Sequence, residues 1–154
     1  MPHHGDATRE GEIAADLPPA SDAGLRFIGR IETPFITRGD CPRQGDMENG
    51  PDCVLNLAPI YGPALREIGK RRHLQVFYWL HAARRDMLVQ RRKGEGPMMG
   101  TFALRSPLRP NPIGVSVVRL LRVEGTRLFV RGLDCLDGTP LLDIKPITCR
   151  EEMR

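Results

Sequence analysis

Short runs in which hydrophobic and polar residues alternate occupy most of the chain, and such runs are typical of β-strands. Residues 25–32 show the pattern clearly, with Leu25, Phe27 and Ile31 on one face. A longer run over residues 113–124 is followed by Glu124-Gly125, a pair that favours a hairpin turn. Strands are predicted over residues 25–32, 53–58, 74–80, 86–92, 98–104, 113–124, 127–133 and 140–144.

Two segments depart from simple alternation. Residues 74–80 (LQVFYWL) are nearly all apolar, which predicts a central strand buried on both faces. Residues 62–70 are compatible with a short helix that turns Leu65 and Ile68 inward. The pattern therefore predicts many strands and very little helix.

This pattern favours one fold class over its main competitor. Short, closely spaced strands argue against a doubly wound α/β sheet, and no glycine-rich dinucleotide fingerprint is present. We expect a mostly β protein, a single-domain antiparallel β-barrel with one or two short helices. Residues 1–24 are predicted to form a disordered acidic tail, and residues 25–154 to form the barrel domain.

Charge is distributed unevenly along the 154 residues. Residues 1–24 carry five acidic residues and one basic residue, whereas the remainder carries 22 basic residues against 14 acidic ones. A basic body favours a nucleic-acid partner, although the same excess serves solubility alone. Three basic clusters, at residues 70–72, 84–85 and 91–93, are candidates for contacts with RNA phosphates.

Location and metal content follow from simple counts. No apolar stretch reaches the roughly 18 residues of a membrane helix, and no secretory signal is evident, so a cytoplasmic protein without a membrane partner is expected. The four cysteines, at positions 41, 53, 135 and 149, lack zinc-site spacing. We expect reduced thiols, most of them buried, and no bound metal.

The richest segment is Gly100 to Gly114, GTFALRSPLRPNPIG. Its three prolines fix φ and remove backbone donors, so the loop is stiff and loses little entropy on binding. It presents polar side chains between two predicted strands: Arg105, Ser106, Arg109 and Asn111. The alternative is a stiff, solvated turn with incidental charge.

That segment resembles the signature of the TrmO family, also called TsaA-like or YaeB-like, of S-adenosylmethionine-dependent tRNA N6-adenosine methyltransferases. Four further segments match in the same order: IGRIETPF at residues 28–35, CPRQG at 41–45, HLQVFYWLH at 73–81 and LDCLDGTPLLDIKP at 133–146. The resemblance covers roughly residues 27–146. It implies a single β-barrel domain, a homodimer and S-adenosylmethionine as cofactor.

The resemblance also implies which positions contact the cofactor. They lie in or directly beside four of the matching segments: Pro42, Arg43, Gln44, His81, Ala82, Arg105, Ser106, Val115, Arg131, Gly132, Leu133 and Asp134. Each has a structural alternative; Arg43 and Arg105 are also compatible with ordinary surface residues, and His81 with a structural histidine.

The acceptor known for the family is N6 of threonylcarbamoyladenosine at position 37, in the anticodon loop of tRNA. For that reaction we expect Asn111 to position the base edge, and Asp143, with Lys145 beside it, to assist the loss of a proton. Asp143 and Lys145 alternate on one predicted strand and therefore share a face, so an ion pair without chemistry is the alternative. Asp137 is expected to cap the Gly138 turn.

Some positions depart from the family pattern. Ile147 stands where a tyrosine is usual, Gly45 where proline is common and Thr101 where a small apolar residue is common. The extra C-terminal domain of many bacterial relatives is also missing. The sequence thus leaves open a tRNA methyltransferase, a methyltransferase with a small-molecule acceptor, and a non-catalytic protein that binds S-adenosylmethionine.

Overall fold

A computed structural model describes residues 7–18, 21–92 and 95–147, and nine strands lie within this part of the chain. In chain order they are β1 (Ile13–Ala14), β2 (Gly29–Glu32), β3 (Asp52–Leu57), β4 (His73–Trp79), β5 (Met87–Arg91), β6 (Met98–Gly100), β7 (Ile113–Glu124), β8 (Arg127–Arg131) and β9 (Thr139–Pro146). The predicted mostly β class is confirmed.

Six of these strands close into a barrel in the order β2-β3-β8-β7-β4-β9. The paired strands with a described register run antiparallel. The chain divides into two compact units: a barrel unit, Leu25–Trp79 with Gly114–Arg154, and a loop unit, Met1–Gly24 with Leu80–Ile113. The predicted antiparallel barrel is confirmed, and the loop unit adds a small sheet that the sequence pattern did not indicate.

Aliphatic side chains from every barrel strand fill its interior. Burying apolar surface is the main favourable contribution to folding, at about 25 cal/mol per Å². The fully buried aliphatic residues are distributed over all six strands: Ile31, Leu55, Val76, Val118, Leu128, Val130 and Leu141. The barrel therefore has one continuous hydrophobic core.

Strand β4 differs from the prediction that both its faces are buried. Leu74, Val76 and Tyr78 are buried, whereas the residues between them are half-buried. Because β4 is a wall of a closed barrel, only one of its faces can point into the core. The apolar residues of its other face, Phe77 among them, lie on the outer wall.

The predicted helix over residues 62–70 is present as two 3-10 segments, Pro59–Leu65 and Ile68–Lys70. Pro63 removes a donor within the first segment, and Glu67 adopts a positive φ of 70° at the start of the second. These residues interrupt a regular α-helix, so only short 3-10 turns form.

Other observed strand boundaries differ from the predicted ones. The predicted strand at 25–32 is shorter, since β2 begins at Gly29. The predicted strand at 98–104 ends at Gly100 and continues as a 3-10 turn, Thr101–Ala103. The hairpin at Glu124-Gly125 is confirmed, and Gly125 has the positive φ of 60° that this turn requires.

In the loop unit, β5 is the central strand of a three-stranded sheet, β1-β5-β6. Ile13 pairs with Val89, and Ala15 N–H donates to the Asp86 carbonyl at 2.7 Å. The expectation of an unstructured tail over residues 1–24 did not include this pairing. The division of the chain into a tail and a barrel domain at residue 24 stays a prediction. Residues 1–6, 19–20, 93–94 and 148–154 lie outside the described residues.

Three of the four cysteines lie in the described chain, and all three are free thiols. Burial raises the pKa of Cys53 to about 11 and that of Cys135 to about 12. These two thiols are therefore inert core residues, as the sequence suggested; Cys149 lies outside the described part. No helix in the described chain is long and apolar enough to cross a bilayer.

Truncating a core residue should destabilise the barrel strongly. Leu55 is fully buried, and Leu55→Ala should lower the free energy of unfolding by about 2–5 kcal/mol because it leaves a cavity. The measurement is urea denaturation followed by circular dichroism. Ile60→Ala is the control, since Ile60 is 81% exposed and its truncation should cost about 0.5 kcal/mol or less. Equal losses in both variants would contradict the barrel core.

Candidate functional site

The long loop between β2 and β3 is ordered by two carboxylates. Asp40 Oδ2 accepts the backbone N–H of Thr37 at 2.8 Å, and Asp46 Oδ1 accepts those of Glu48 and Asn49 at 2.9 Å each. Backbone hydrogen bonds lower the pKa of both carboxyls, from Thr37 for Asp40 and from Asn49 for Asp46. The segment between them, residues 41–45, is held at both ends.

Two glycines bring two of the predicted cofactor segments together within the barrel unit. A Cβ on Gly45 would collide with the backbone carbonyl of Gly132, so the two backbones are in direct contact. Gly132 adopts a φ of 120°, a region that favours glycine, and packs against Met47 and Val117. The Pro42-Arg43-Gln44 triplet therefore lies beside residues 131–134.

Within this pair of segments the side chains divide by exposure. Pro42, Arg43 and Gln44 are exposed, whereas Gly132 and Leu133 are buried. The triplet can contact a ligand through its side chains. Gly132 and Leu133 can do so only through their backbone groups.

Arg131 has a structural task. Its guanidinium donates to Asp52 Oδ1 at 2.6 and 3.0 Å and to the Glu48 carbonyl at 3.2 Å. It thus ties β8 to β3 and to the Asp46 turn. A cofactor contact at position 131 would have to use the backbone.

Asp134 is oriented by a residue that the sequence analysis missed. The Tyr78 hydroxyl donates to Asp134 Oδ1 at 2.7 Å, and the Ser116 hydroxyl lies 2.8 Å from the same tyrosine oxygen. Burial, followed by the nearby Asp134 charge, raises the pKa of Tyr78 well above its ordinary value. Tyr78 therefore stays protonated and holds one oxygen of a half-buried carboxylate. The available sequence signal was its hydroxyl, the one hydroxyl within the nearly all-apolar run at residues 74–80.

The glycine that ends the signature segment has a specific reason. A Cβ on Gly114 would overlap the ring of Tyr78, so the backbone of β7 lies directly against that ring. Any other residue at position 114 would displace the ring and its hydroxyl. The glycine therefore supports the Tyr78–Asp134 hydrogen bond.

Cys41 is close enough to Asp134 for the two to interact electrostatically. Partial burial raises the pKa of its thiol, and the charges of Asp134 and Asp40 add to that rise. The thiol donates to the Thr37 carbonyl at 3.6 Å. Cys41 is therefore a packing residue with a protonated thiol, as expected from the sequence.

Asp143 and Lys145 share a face of β9, as predicted, but this is the outer face of the barrel. They pair in register with Phe77 and Gln75, which are the outward residues of β4. Lys145 Nζ lies 5.7 Å from the centre of the Phe77 ring, and Asp143 Oδ1 accepts the N–H of Ile144. Asp134, by contrast, is bound to Tyr78, which points into the barrel. Asp143 and Lys145 therefore do not adjoin Asp134 within one barrel.

Asp137 is structural, but it does not act as predicted. Its Oδ1 accepts the backbone N–H of Thr33 at 3.0 Å, and its own N–H donates to the Phe35 carbonyl at 2.8 Å. It therefore ties the end of β2 to the turn before β9. The expectation that it caps the Gly138 turn with its own side chain missed this partner.

In the loop unit, the proline-rich segment is held by its own polar side chains. Ser106 Oγ donates to Gln90 Oε1 at 2.7 Å. Arg109 donates to the carbonyls of Leu104 and Ser106 at 3.0 and 3.2 Å. Ser106 and Arg109, expected to face a ligand, fix the shape of the loop instead.

The carboxamide of Asn111 is also oriented. Arg85 donates to Asn111 Oδ1 at 3.1 Å and to the Pro110 carbonyl at 2.6 Å. With its oxygen directed to Arg85, Asn111 turns the donor end of its amide away from that arginine. Asn111 is thus suited to donate a hydrogen bond to a ligand.

The remaining predicted residues are divided between the units. His81 and Arg105 are exposed and Ala82 is half-buried, all in the loop unit, while half-buried Val115 lies on β7 in the barrel unit. The predicted cofactor set therefore has members in both units, and within the barrel unit Gly45, which follows residues 42–44, is in direct backbone contact with Gly132.

Three residues of the basic clusters are engaged within their own units. Arg84 pairs with Asp86 at 2.6 Å and donates to Thr8 Oγ1 at 3.0 Å, and Arg85 holds the proline-rich segment. Lys70 forms an ion pair with Glu67. Arg84 and Arg85 therefore have structural partners, although Arg85 remains exposed.

Comparison with known proteins gives a consistent result. A family profile described as the tRNA-methyltransferase O N-terminal domain matches residues 30–150. A protein of Rhizobium radiobacter named "Probable S-adenosyl-L-methionine-binding protein VirR" is 48% identical over 143 residues, which are 93% of this chain and 81% of the relative. A tRNA (adenine(37)-N6)-methyltransferase of Eikenella corrodens is 51% identical over 75 residues, 46% of this chain and 43% of that protein.

Solved structures agree with these sequence matches. The crystal structure of TrmO from Pseudomonas aeruginosa superposes with a TM-score of 0.69 at 35% sequence identity and covers 83% of this chain. The chain spans 57% of the length of that protein. The similarity thus extends over the barrel and leaves a large part of the longer protein unmatched.

The buried hydroxyl of Tyr78 predicts a specific pH dependence. Because its folded pKa is raised above the unfolded value of about 10, its contribution to stability is fully present below pH 10. It is lost as the pH rises from there towards the folded pKa. Tyr78→Phe should therefore show a smaller fall in unfolding free energy between pH 9 and pH 11 than the wild type, measured by urea denaturation.

Tyr61→Phe is the matched control for that comparison, since Tyr61 lies half-buried in a 3-10 segment outside the barrel interior. At pH 8, Tyr78→Phe should itself cost about 1 kcal/mol through the lost hydrogen bond to Asp134. An unchanged pH dependence in Tyr78→Phe would show that this hydroxyl ionises as readily in the folded protein as in the unfolded chain.

Proposed function

The chain belongs to the tRNA-methyltransferase O N-terminal domain family, and from this premise we propose that it binds S-adenosylmethionine and transfers the methyl group of that compound to an acceptor. The observation that carries the proposal is the direct contact between Gly45 and Gly132. Arg43 is exposed two residues before Gly45, and the half-buried carboxylate of Asp134 lies two residues after Gly132.

The residues at this contact fit the chemistry of S-adenosylmethionine. The compound carries a carboxylate, an ammonium, a sulfonium, a ribose and an adenine. A guanidinium is the best side-chain partner for a carboxylate, and a fixed carboxylate attracts cations. Arg43 and Asp134 supply these opposite charges, and Gln44 adds an amide that both donates and accepts.

Close packing supports the proposed binding set. A Cβ on Gly132 would meet Met47 and the Val117 carbonyl, so the glycine lets residues 131–134 pack tightly within the barrel unit. The hydrogen bond that Tyr78 donates to Asp134 and the one that Asp46 accepts from the Glu48 N–H keep the binding groups fixed before the ligand arrives. Such preorganisation lowers the entropy lost on binding.

S-adenosylmethionine supplies an electrophilic methyl group on a sulfonium when it is bound. The protein's own part is alignment and the handling of one proton. Asn111, whose amide N–H is turned away from Arg85, donates to the acceptor and orients it. Asp143, exposed beside Lys145 on the outer wall of β9, is the carboxylate proposed to take the proton that the acceptor nitrogen loses; because it does not adjoin Asp134 within one barrel, this role requires the homodimer proposed below.

The acceptor we propose is N6 of threonylcarbamoyladenosine at position 37 of tRNA. Support comes from the name of the Eikenella corrodens relative, which specifies adenine 37 of tRNA, and from the excess of basic residues after residue 24. The cationic surface would attract the RNA backbone, so binding should weaken as salt is raised.

A second candidate is a protein that binds S-adenosylmethionine without transferring a methyl group. It is favoured by the relatives whose names mention only binding and whose length this chain covers well, such as the Rhizobium radiobacter protein. The replacement of the usual tyrosine by Ile147 points in the same direction. A methyltransferase with a small-molecule acceptor would share the same binding site.

We also propose that the protein acts in the cytoplasm as a homodimer. Val117 is 42% exposed on the same face of β7 as the half-buried Val115, and apolar outer residues of this kind suit a subunit contact. Light scattering coupled to gel filtration would give the mass directly, and a Val117→Glu variant should shift it towards the monomer.

Removing either proposed charge should weaken cofactor binding. Asp134→Asn keeps the shape of the side chain and an acceptor for Tyr78 but removes the negative charge, so the Kd for S-adenosylmethionine should rise about tenfold or more, and Arg43→Ala should act similarly. Isothermal titration calorimetry measures both. Arg122→Ala is the control, because Arg122 lies on the outer barrel wall over Phe129. Wild-type affinity in both site variants would refute the proposed binding site.

Methyl transfer separates the two candidate functions. Radiolabelled S-adenosylmethionine and tRNA that carries threonylcarbamoyladenosine should yield labelled tRNA with the wild type. Asp143→Asn should lower the rate about 100-fold or more while leaving cofactor affinity unchanged, since general acid–base catalysis contributes on that scale. Binding without transfer to tRNA in the wild type would favour the binding protein, or a different acceptor.

A further inference from the structure

Strand β5 carries a buried amide that neither the sequence analysis nor the proposed site accounts for. Gln90 is 5% exposed, and its carboxamide makes three hydrogen bonds to the proline-rich segment. Nε2 donates to Thr101 Oγ1 at 2.8 Å and to the Leu108 carbonyl at 2.6 Å, while Oε1 accepts from Ser106 Oγ at 2.7 Å. Both donor hydrogens and one acceptor are thus used on a single loop.

A buried amide is costly unless it is paired, so its presence in a strand needs a reason. In β5 the residues Met87 and Gln90 are buried while Leu88 is exposed, which breaks the simple alternation of a strand. An apolar residue at position 90 would pack as well. The glutamine is therefore explained by its hydrogen bonds to the polar groups of the proline-rich segment.

These bonds fix the segment at three points along its length. Thr101 Oγ1 in turn donates to the Met87 carbonyl at 2.8 Å, and Ser106 Oγ also accepts the N–H of Leu108 at 3.2 Å. Both ends of the 101–108 stretch are thereby tied to β5. Arg105 lies between the fixed points, and Asn111 lies three residues beyond the last of them, Leu108.

We propose that Gln90 is a positioning residue, which holds the proline-rich segment so that Arg105 and Asn111 are preorganised for the ligand. The proposal rests on the function proposed above, since it assumes that this segment binds S-adenosylmethionine or its acceptor. The prolines restrict φ at three positions only, and the buried amide sets the remaining course of the backbone.

The test uses the full chain and two variants. Gln90→Met keeps the approximate volume and removes all three hydrogen bonds, and Thr101→Val removes one bond to Gln90 and the bond to Met87 without changing shape. Leu88→Met is the control on the exposed side of the same strand. A thermal melt of each variant checks that the barrel remains folded.

The first readout needs no ligand. Trypsin can cut after Arg105, whereas the bond after Arg109 precedes a proline and resists it. Cleavage at Arg105 should be at least tenfold faster in Gln90→Met and several-fold faster in Thr101→Val, and unchanged in Leu88→Met. A cleavage rate in Gln90→Met equal to that of the wild type would overturn the positioning role.

The second readout is the Kd for S-adenosylmethionine, which should rise about tenfold in Gln90→Met at an unchanged melting temperature. If the wild type binds the compound and Gln90→Met binds it equally well with a mobile loop, the positioning role is refuted while the proposed function stands. If the wild type does not bind it at all, the proposed function fails, and the trypsin result alone decides whether Gln90 fixes the segment.

Discussion

The candidate site depends on one close approach, the contact of the Gly45 backbone with the carbonyl of Gly132. It joins a loop that is remote in sequence to the segment that follows β8. Neither backbone could come this near if position 45 carried a side chain. The carboxylates of Asp40 and Asp46 fix the loop on either side of that point, so the exposed triplet that includes Arg43 is presented in one conformation.

Several arginines of the described chain make contacts that hold the structure together. Arg131 joins β8 to β3, Arg84 pairs with Asp86, and Arg85 and Arg109 hold the proline-rich segment by donating to backbone carbonyls. The guanidinium group suits this work, because its several donors can serve carbonyls that prolines and turns leave without partners. The basic composition therefore overstates the charge that is available to a nucleic acid, and Arg43 gains importance for that reason.

The predicted and observed elements agree where a feature depends on local sequence and differ where it depends on the closed barrel. The strand at 113–124 and its hairpin were predicted correctly, because alternation and a glycine turn are local properties. The prediction that both faces of β4 are buried was wrong, since a nearly continuous apolar run does not reveal which residues face the inside of a closed barrel. Tyr78 was overlooked for the same reason.

The sequence by itself determined the class of fold, the family, and the identity of the segments that carry the polar groups. Only the tertiary structure decided which of these groups can meet a ligand. It assigned Ser106 and Arg109 to the internal bonding of their loop, directed Asp143 and Lys145 to the outer wall, and oriented Asp134 through Tyr78. The physical reason is that the partner of a polar side chain is set by contacts between residues far apart in the chain, which no local pattern records.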